Sequence, residues 1–403
     1  MKPVSIGCAN SIYYGFEFGK CFYHKMTIFV NGGVKNMQMK LTDLARLAGV
    51  SKATASRAMA GSPLVREETR LRVQRIAKEH GYVPNALAQA VATKRSGIIG
   101  MCIYRKQLPY FAHTFFGPLL DGAIVEAKEH GYHIVVTSTS QDFDTFDEHF
   151  IQDSVDGVIL TSFTPLEAVA EFRRRRIPLV LVNDVLETKN NAFIIQDDYG
   201  GATAMMDHLF ERGHRQIAFL SDRLSHVSYH LRYLAYLNGH HRRGIPVYNN
   251  PALPPSPDLW GSFPRLDIDA AKLRLFGLEP HAVEGTPLIV TSTAPEFGAN
   301  AVRELMKAGN LPTAIFASSD SLAIGALRAL NEAGLTVPKD IAVGGFDDIE
   351  LAKGVWPPLT TVKAGPFEMG RIAIRELLLQ IEEPTLDGRV RKVPTRLVVR
   401  EST

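Results

Sequence analysis

The sequence predicts a small helix-turn-helix head followed by a larger α/β body with parallel sheets, and three observations carry that prediction. From Leu41 onward, small and apolar residues recur at helical spacing on both sides of a Gly-Val-Ser turn. Beyond Gly97, short apolar runs alternate with amphipathic stretches, the pattern of strand–helix–strand units. Charge divides at the same place. Lys40–Ser96 carries eleven Lys/Arg against four acids, a net +7, which leaves −4 for the remainder of a chain whose total is +3. A basic head on a mildly acidic body points to a nucleic-acid module joined to something else.

The chain has 403 residues, 45% apolar and 22% charged, so two or three domains with ordinary buried cores are expected. Cys8, Cys21 and Cys102 give neither a disulfide framework nor a metal-ligand spacing, which suits a reducing compartment. No apolar run approaches the roughly 18 residues of a membrane helix. The N-terminus has no apolar signal core, because Asn10, Glu17, Lys20 and His24 interrupt it. A cytoplasmic, nucleoid-associated location is the expectation.

Residues 1–38 show no helical or alternating period and contain Met26 and Met37, with Met39 just beyond. They read as a disordered leader or the product of an upstream start, the alternative being a short accessory segment.

Residues 39–84 form the head. Ala45 is the small residue a helix crossing needs, and Gly49 the residue that tolerates positive φ in the turn. Leu44, Ala48, Val50, Ala55 and Ala58 lock the two helices, and Ser51 is an apt N-cap for the second. That helix turns Lys52, Ala53, Ser56 and Arg57 outward from its first two turns. Arg57 can pair with guanine O6 and N7, while Ser51, Thr54 and Ser56 suit phosphate oxygens. A third helix from about Arg66 to His80 ends at Gly81 ahead of Pro84. Residues 85–96 continue as a short Ala-rich helix and a polar linker.

In the body, strands are expected at Ile98–Tyr104, His133–Thr137, Gly157–Leu160, Leu179–Val182, Gln216–Leu220, Leu288–Val290, Ala314–Ala317 and Ile341–Gly344. Helices are expected at Leu119–His130, Thr203–Arg212, Gly298–Ala308 and Leu322–Ala333, with Asn249–Pro287 a Pro/Gly-rich loop or insertion.

The run from Leu41 to Gly100 resembles the N-terminal region of the LacI/GalR repressors. The resemblance continues through Val155–Asp156–Gly157, Gly213–His214–Arg215, Pro357–Val362 and the C-terminal Val398–Thr403, so it spans all but the leader. It implies a homodimer reading a pseudo-palindromic double-stranded operator, with operator affinity set by a small effector, a sugar or sugar derivative. It implies that Tyr82 and Asn85 touch DNA backbone, and that a hinge including Ala88 drives a wedge into the minor groove. The wedge position here is Val91 where the family has leucine. Lys52 and Ala53 match the family's two main specificity positions.

For residues 97–403 the resemblance implies an effector-binding and dimerisation domain of two periplasmic-binding-protein-like lobes. By position these are about 97–213 with 364–387, and 214–363 with 388–403. Arg232, Ser319, Asp320 and Asp347 match effector-contacting positions, although Ser319 stands where asparagine is common. A guanidinium and carboxylates at strand ends are the groups that grip vicinal hydroxyls. Asp197 and Asp198 could add acceptors, and Phe115 and Phe116 either a platform or core. The strand-end Asp residues fit capping as well as binding.

No metal, cofactor or catalytic residue is expected. Of the histidines only His226 and His230 have i, i+4 spacing, with no third ligand placed beside them. Neither a G-x-G-x-x-G after the first strand, nor a P-loop, nor a nucleophile elbow occurs, which argues against an enzyme. A free-standing sugar-binding protein would need a secretory signal and no helix-turn-helix.

Overall fold

The computed structural model describes residues 39–82, 95–104, 115–139, 155–162, 164–186, 191–222, 226–249, 288–289, 293–383 and 388–403. The leader, the hinge positions Asn85, Ala88 and Val91, and the expected insertion beyond Asn249 lie outside them. The chain divides into two units, residues 1–84 and 85–403.

In the first unit, α1 (Leu41–Leu47) and α2 (Lys52–Met59) flank the turn, and α3 (Glu67–Glu79) covers them. Gly49 adopts φ +63°, a left-handed conformation that costs a residue with a Cβ about 1 kcal/mol or more. Ser51 accepts a hydrogen bond from the Thr54 amide at 3.0 Å, satisfying one of the open donors of α2. Leu44, Ala45, Ala48, Ala55, Ala58, Val73 and Ala77 are buried together. The alanines let the three helices approach closely, and Val50 and Tyr82 pack against the rim of this core.

In the second unit a parallel six-stranded sheet runs in the order β11-β5-β4-β3-β1-β2. Its strands are β1 (Ile98–Tyr104), β2 (His133–Thr139), β3 (Gly157–Thr161), β4 (Leu179–Val182), β5 (Ala192–Gln196) and β11 (Val390–Val393). A second parallel sheet, β7-β6-β8-β9, is built from β6 (Ile217–Ser221), β7 (Leu288–Ile289), β8 (Ala314–Ala317) and β9 (Ala342–Gly344). An antiparallel pair, β10 (Thr361–Lys363) and β12 (Arg396–Val398), completes the described strands.

Helices α4 (Phe116–Glu129), α5 (Leu166–Arg174) and α11 (Pro366–Glu382) accompany the first sheet. With the second go α6 (Asp198–Glu211), α7 (Val227–His241), α8 (Pro295–Ala308), α9 (Asp320–Glu332) and the short α10 (Leu351–Gly354). Between α4 and α11 the backbones nearly touch. A Cβ on Gly122 would lie 1.9 Å from the Phe367 carbonyl oxygen, so only glycine fits there.

Two lobe boundaries differ from expectation. Helix α6 belongs to the second lobe, because Ala202, Met205, Met206 and Leu209 share a core with Ile217, Phe219 and Tyr233. The first crossing therefore falls at residues 196–198, not after Gly213. Strand β11 belongs to the first lobe, where Val390–Val393 pairs in register with Phe193–Gln196. The second crossing follows Lys363, and the third lies between Val393 and Arg396.

The Asp156 motif and the C-terminal motif make contacts within each lobe. Asp156 accepts from the Ser96 and Gly97 amides at 2.7 and 2.9 Å, pinning the linker where it enters the first sheet. Ser402 donates to the Val343 carbonyl at 2.6 Å and accepts from the Thr360 amide at 2.8 Å. Arg400 pairs with Asp348 at 2.5 Å, so the C-terminal residues close the second lobe.

Candidate functional site

In the first unit the second helix of the turn motif presents one open face. Ser51, Lys52, Ala53 and Arg57 are exposed, Thr54 and Ser56 half-buried, and Ala55 and Ala58 turned into the core. This division follows from the 3.6-residue period, with Ala55 and Ala58 three apart on the inner side. Tyr82 packs against the headpiece core, and its amide bonds to the Ala77 carbonyl at 2.8 Å. Burial pushes its hydroxyl pKa above the usual tyrosine value.

In the second unit the polar residues collect at the C-terminal ends of the strands, beside the crossings. Arg232 of α7 is the centre. Its Nε and Nη2 reach Asp198 Oδ1 at 2.8 and 2.7 Å, its Nη1 donates to the Ser318 carbonyl, and Nη2 lies 3.5 Å from Asp347. The guanidinium carbon stands 3.6 Å from the centroid of the Phe346 ring, a close cation–π contact. Burial opposes the charge on Arg232, but Asp198 and then Asp347 outweigh it and hold its pKa above the usual arginine value. Gln196 donates to the same Asp198 oxygen at 2.9 Å.

Asp347 follows β9 with φ +115°, and its amide donates to the Val362 carbonyl at 2.8 Å. Burial raises its pKa to about 7, with Arg232 pulling it down and Asp198 pushing it up. A second polar chain joins the lobes. Ser228 of α7 donates to Asn183 Oδ1 at 2.9 Å, and the Asn183 amide donates to Ser162 at 3.1 Å.

The remaining expected effector residues have other work. Asp320 is fully buried and accepts from Thr361 at 2.5 Å and from the Ile349 amide at 2.9 Å, so it ties the loop after β9 to the start of α9. Burial, then the neighbouring Asp347, pushes its pKa well above the carboxylate range. Ser319 caps α9 by accepting from the Leu322 amide. Asp197 caps α6 through Gly200 and pairs with Lys392 at 3.2 Å. Phe116 lies in the core of the first lobe, with Phe115 edge-on against it at 5.5 Å. Asp197 thus caps its own helix, the capping alternative, while Asp320 satisfies a backbone and a hydroxyl donor 29 and 41 residues away. Gln196, Asn183, Ser228 and Phe346 joined the cluster without a sequence signal beyond their positions at strand or helix ends.

Known proteins match over both units. The model of bacterial regulatory proteins of the lacI family matches residues 40–85. Models of the periplasmic binding proteins and sugar-binding domain of that family, and of a periplasmic binding protein-like domain, match 99–254 and 206–403. The ribose operon repressor of Escherichia coli K12 is 30% identical over 355 residues, 86% of this chain and 94% of the relative. The chain belongs to the LacI family. It is accordingly a transcriptional regulator with a DNA-binding head.

Three further comparisons cover nine-tenths of this LacI-family chain. Catabolite control protein A of Priestia megaterium is 28% identical across 91% of this chain and 100% of its own. The solved lac repressor dimer, bound to operator and an anti-inducer, has a TM-score of 0.68 at 26% identity, covering 91% of this chain and 99% of that one. A CelR–cellobiose complex has a TM-score of 0.62 at 27% identity, covering 91% and 100%.

Two histidines, His226 at the N-cap of α7 and His230 in its first turn, are buried. His226 accepts from the Ser228 amide at 3.2 Å, and the Nδ1 atom of His230 has no hydrogen-bond partner among the described residues. Burial lowers both pKa values from 6.5 to about 4. The unfolded imidazoles take up protons near pH 6.5 and the folded ones only near 4, so their contribution to stability is lost as pH falls through that window. Asp347 works in the opposite sense, its folded carboxyl holding a proton up to about pH 7. His230→Gln should flatten the rise of stability between pH 4 and 6.5 by up to one proton, about 1.4 kcal/mol per pH unit. Urea unfolding at half-unit pH steps checks this, and an unchanged slope would mean His230 is protonated in the fold.

Proposed function

We propose that the protein is a dimeric repressor that binds a pseudo-palindromic operator in the bacterial cytoplasm and is controlled by a sugar or sugar derivative held between its lobes. No catalytic step is part of this reading. The observation that carries it is the Arg232–Asp198–Asp347 cluster beside the lobe crossings, on the same chain as an exposed α2 face. Arg57 and Lys52 are assigned to base edges, Ala53 to methyl contact, and Ser51, Thr54 and Ser56 to phosphates. Ser228 and Asn183 join the effector reading because they link the lobes directly.

An effector that contacts both lobes favours one closure angle, and it shifts operator affinity only by its differential affinity for the two arrangements. The test is operator binding by fluorescence anisotropy with and without individual sugars, using random DNA as control. A preference for a palindromic site that changes by about 5- to 150-fold with one sugar supports the reading. Equal affinity for operator and random DNA overturns it.

A further inference from the structure

The cluster that suggests an effector also limits its charge, an inference that rests on the effector reading above. We propose that the cleft takes a hydroxyl-rich effector with no negative charge, a neutral or amino sugar rather than a uronate or sugar phosphate. Three observations lead there.

First, the guanidinium of Arg232 has little left to offer an anion. Its Nε and Nη2 face Asp198, its Nη1 faces the Ser318 carbonyl, and only 4% of the side chain is exposed. One guanidinium stands against two carboxylates, so the cluster carries no surplus positive charge. Among the described residues, Lys392 pairs with Asp197, and Arg400 with Asp348.

Second, the member of the cluster left accessible is an acid. Asp347 keeps 18% of its side chain exposed, several times more than Arg232 or Asp198. A carboxyl there accepts from hydroxyls or an ammonium and repels a second anion. Burial, which disfavours its charged form, raises its pKa to about 7, with Asp198 adding to the rise and Arg232 opposing it.

Third, buried polar atoms at the strand ends lack partners among the described residues: Gln196 Oε1, Ser221 Oγ and Ser318 Oγ. Gln196, Ser221 and Ser318 are at most 1% exposed, and they end or follow β5, β6 and β8. An amide oxygen only accepts, so Gln196 calls for a hydroxyl or N–H donor, and the two serine hydroxyls match hydroxyls in either direction. A sugar's hydroxyls supply that donor, and an ionised phosphate or carboxylate group does not.

The test uses the full chain with matched probes: glucose, glucosamine, glucuronate and glucose 6-phosphate, then ribose, ribosamine and ribose 5-phosphate. Each is titrated calorimetrically at constant ionic strength and pH 7.5. The expected result is that the binding sugar is neutral or amino-substituted, with its anionic counterpart at least tenfold weaker. D347N should narrow that gap at least threefold. An anionic member binding as tightly as its neutral counterpart overturns the inference. An unchanged gap in folded D347N overturns the role given to Asp347, while the unsubstituted chain decides the charge rule alone. Binding by none of the probes counts against the effector reading itself.

Discussion

Replacing Arg232 with alanine is expected to lower the stability of the second unit by about 3–5 kcal/mol, because it strands buried carboxylates. Asp198 is 3% exposed and takes both its Arg232 contacts on one oxygen. Without the guanidinium that carboxylate keeps only the Gln196 amide among the donors described here. The Ser318 carbonyl loses its donor and the Phe346 ring its stacked partner. An arginine poised only to clamp a ligand would come away at little cost. Urea unfolding of the full chain followed by tryptophan fluorescence separates the two, and a loss under about 1 kcal/mol would return Arg232 to the pure clamp role.

The double variant Arg232→Met with Asp198→Leu should recover most of the loss, since a buried ion pair replaced by apolar residues of similar volume is often neutral or better. Recovery of stability with no recovery of effector response would show that the pair is kept for the switch and not for the fold. Failure to recover would mean that the penalty lies in the Ser318 and Phe346 contacts instead.

Arg57→Ala should weaken binding to the cognate operator by about 1–3 kcal/mol, roughly 5- to 150-fold, and leave random DNA nearly unaffected. Arg57 lies on the exposed face of α2 while its neighbours Ala55 and Ala58 hold the helix in the headpiece core. A planar fork reads guanine, and its loss removes discrimination more than attraction. Lys52→Ala sits on the same face and serves as comparison. Anisotropy titrations at two salt concentrations decide the case. Equal losses on operator and random DNA, with a salt slope reduced by about one, would assign Arg57 to phosphate.

The two helices of the turn motif were legible because what specifies them is local. Ala45, Gly49, Ser51, Ala55 and Ala58 lie within four residues of a partner along α1, the turn or α2, and helical period alone says which side each takes. The alternation of strands and helices was legible for the same reason, as was the place of the C-terminal motif at the end of the chain.

What the pattern could not supply was the partner of each apolar face and each carboxylate. Helix α6 is apolar on Ala202, Met205 and Leu209 in any reading, but only packing against Phe219 and Tyr233 assigns it to the second lobe. Val390–Val393 is not among the strands expected from the sequence, and its pairing with Phe193–Gln196 places it in the first sheet.

Among the acids, Asp198 meets Arg232 across 34 residues and Asp320 meets Thr361 across 41, so one becomes the counter-ion of the cluster and the other a tie within the fold. The sequence by itself determined the helix-turn-helix, the α/β alternation and the supply of polar residues at strand ends. Only the tertiary structure decided which donors each of those residues meets, because a carboxylate's role is set by the donors within about 3 Å of it and not by its neighbours along the chain.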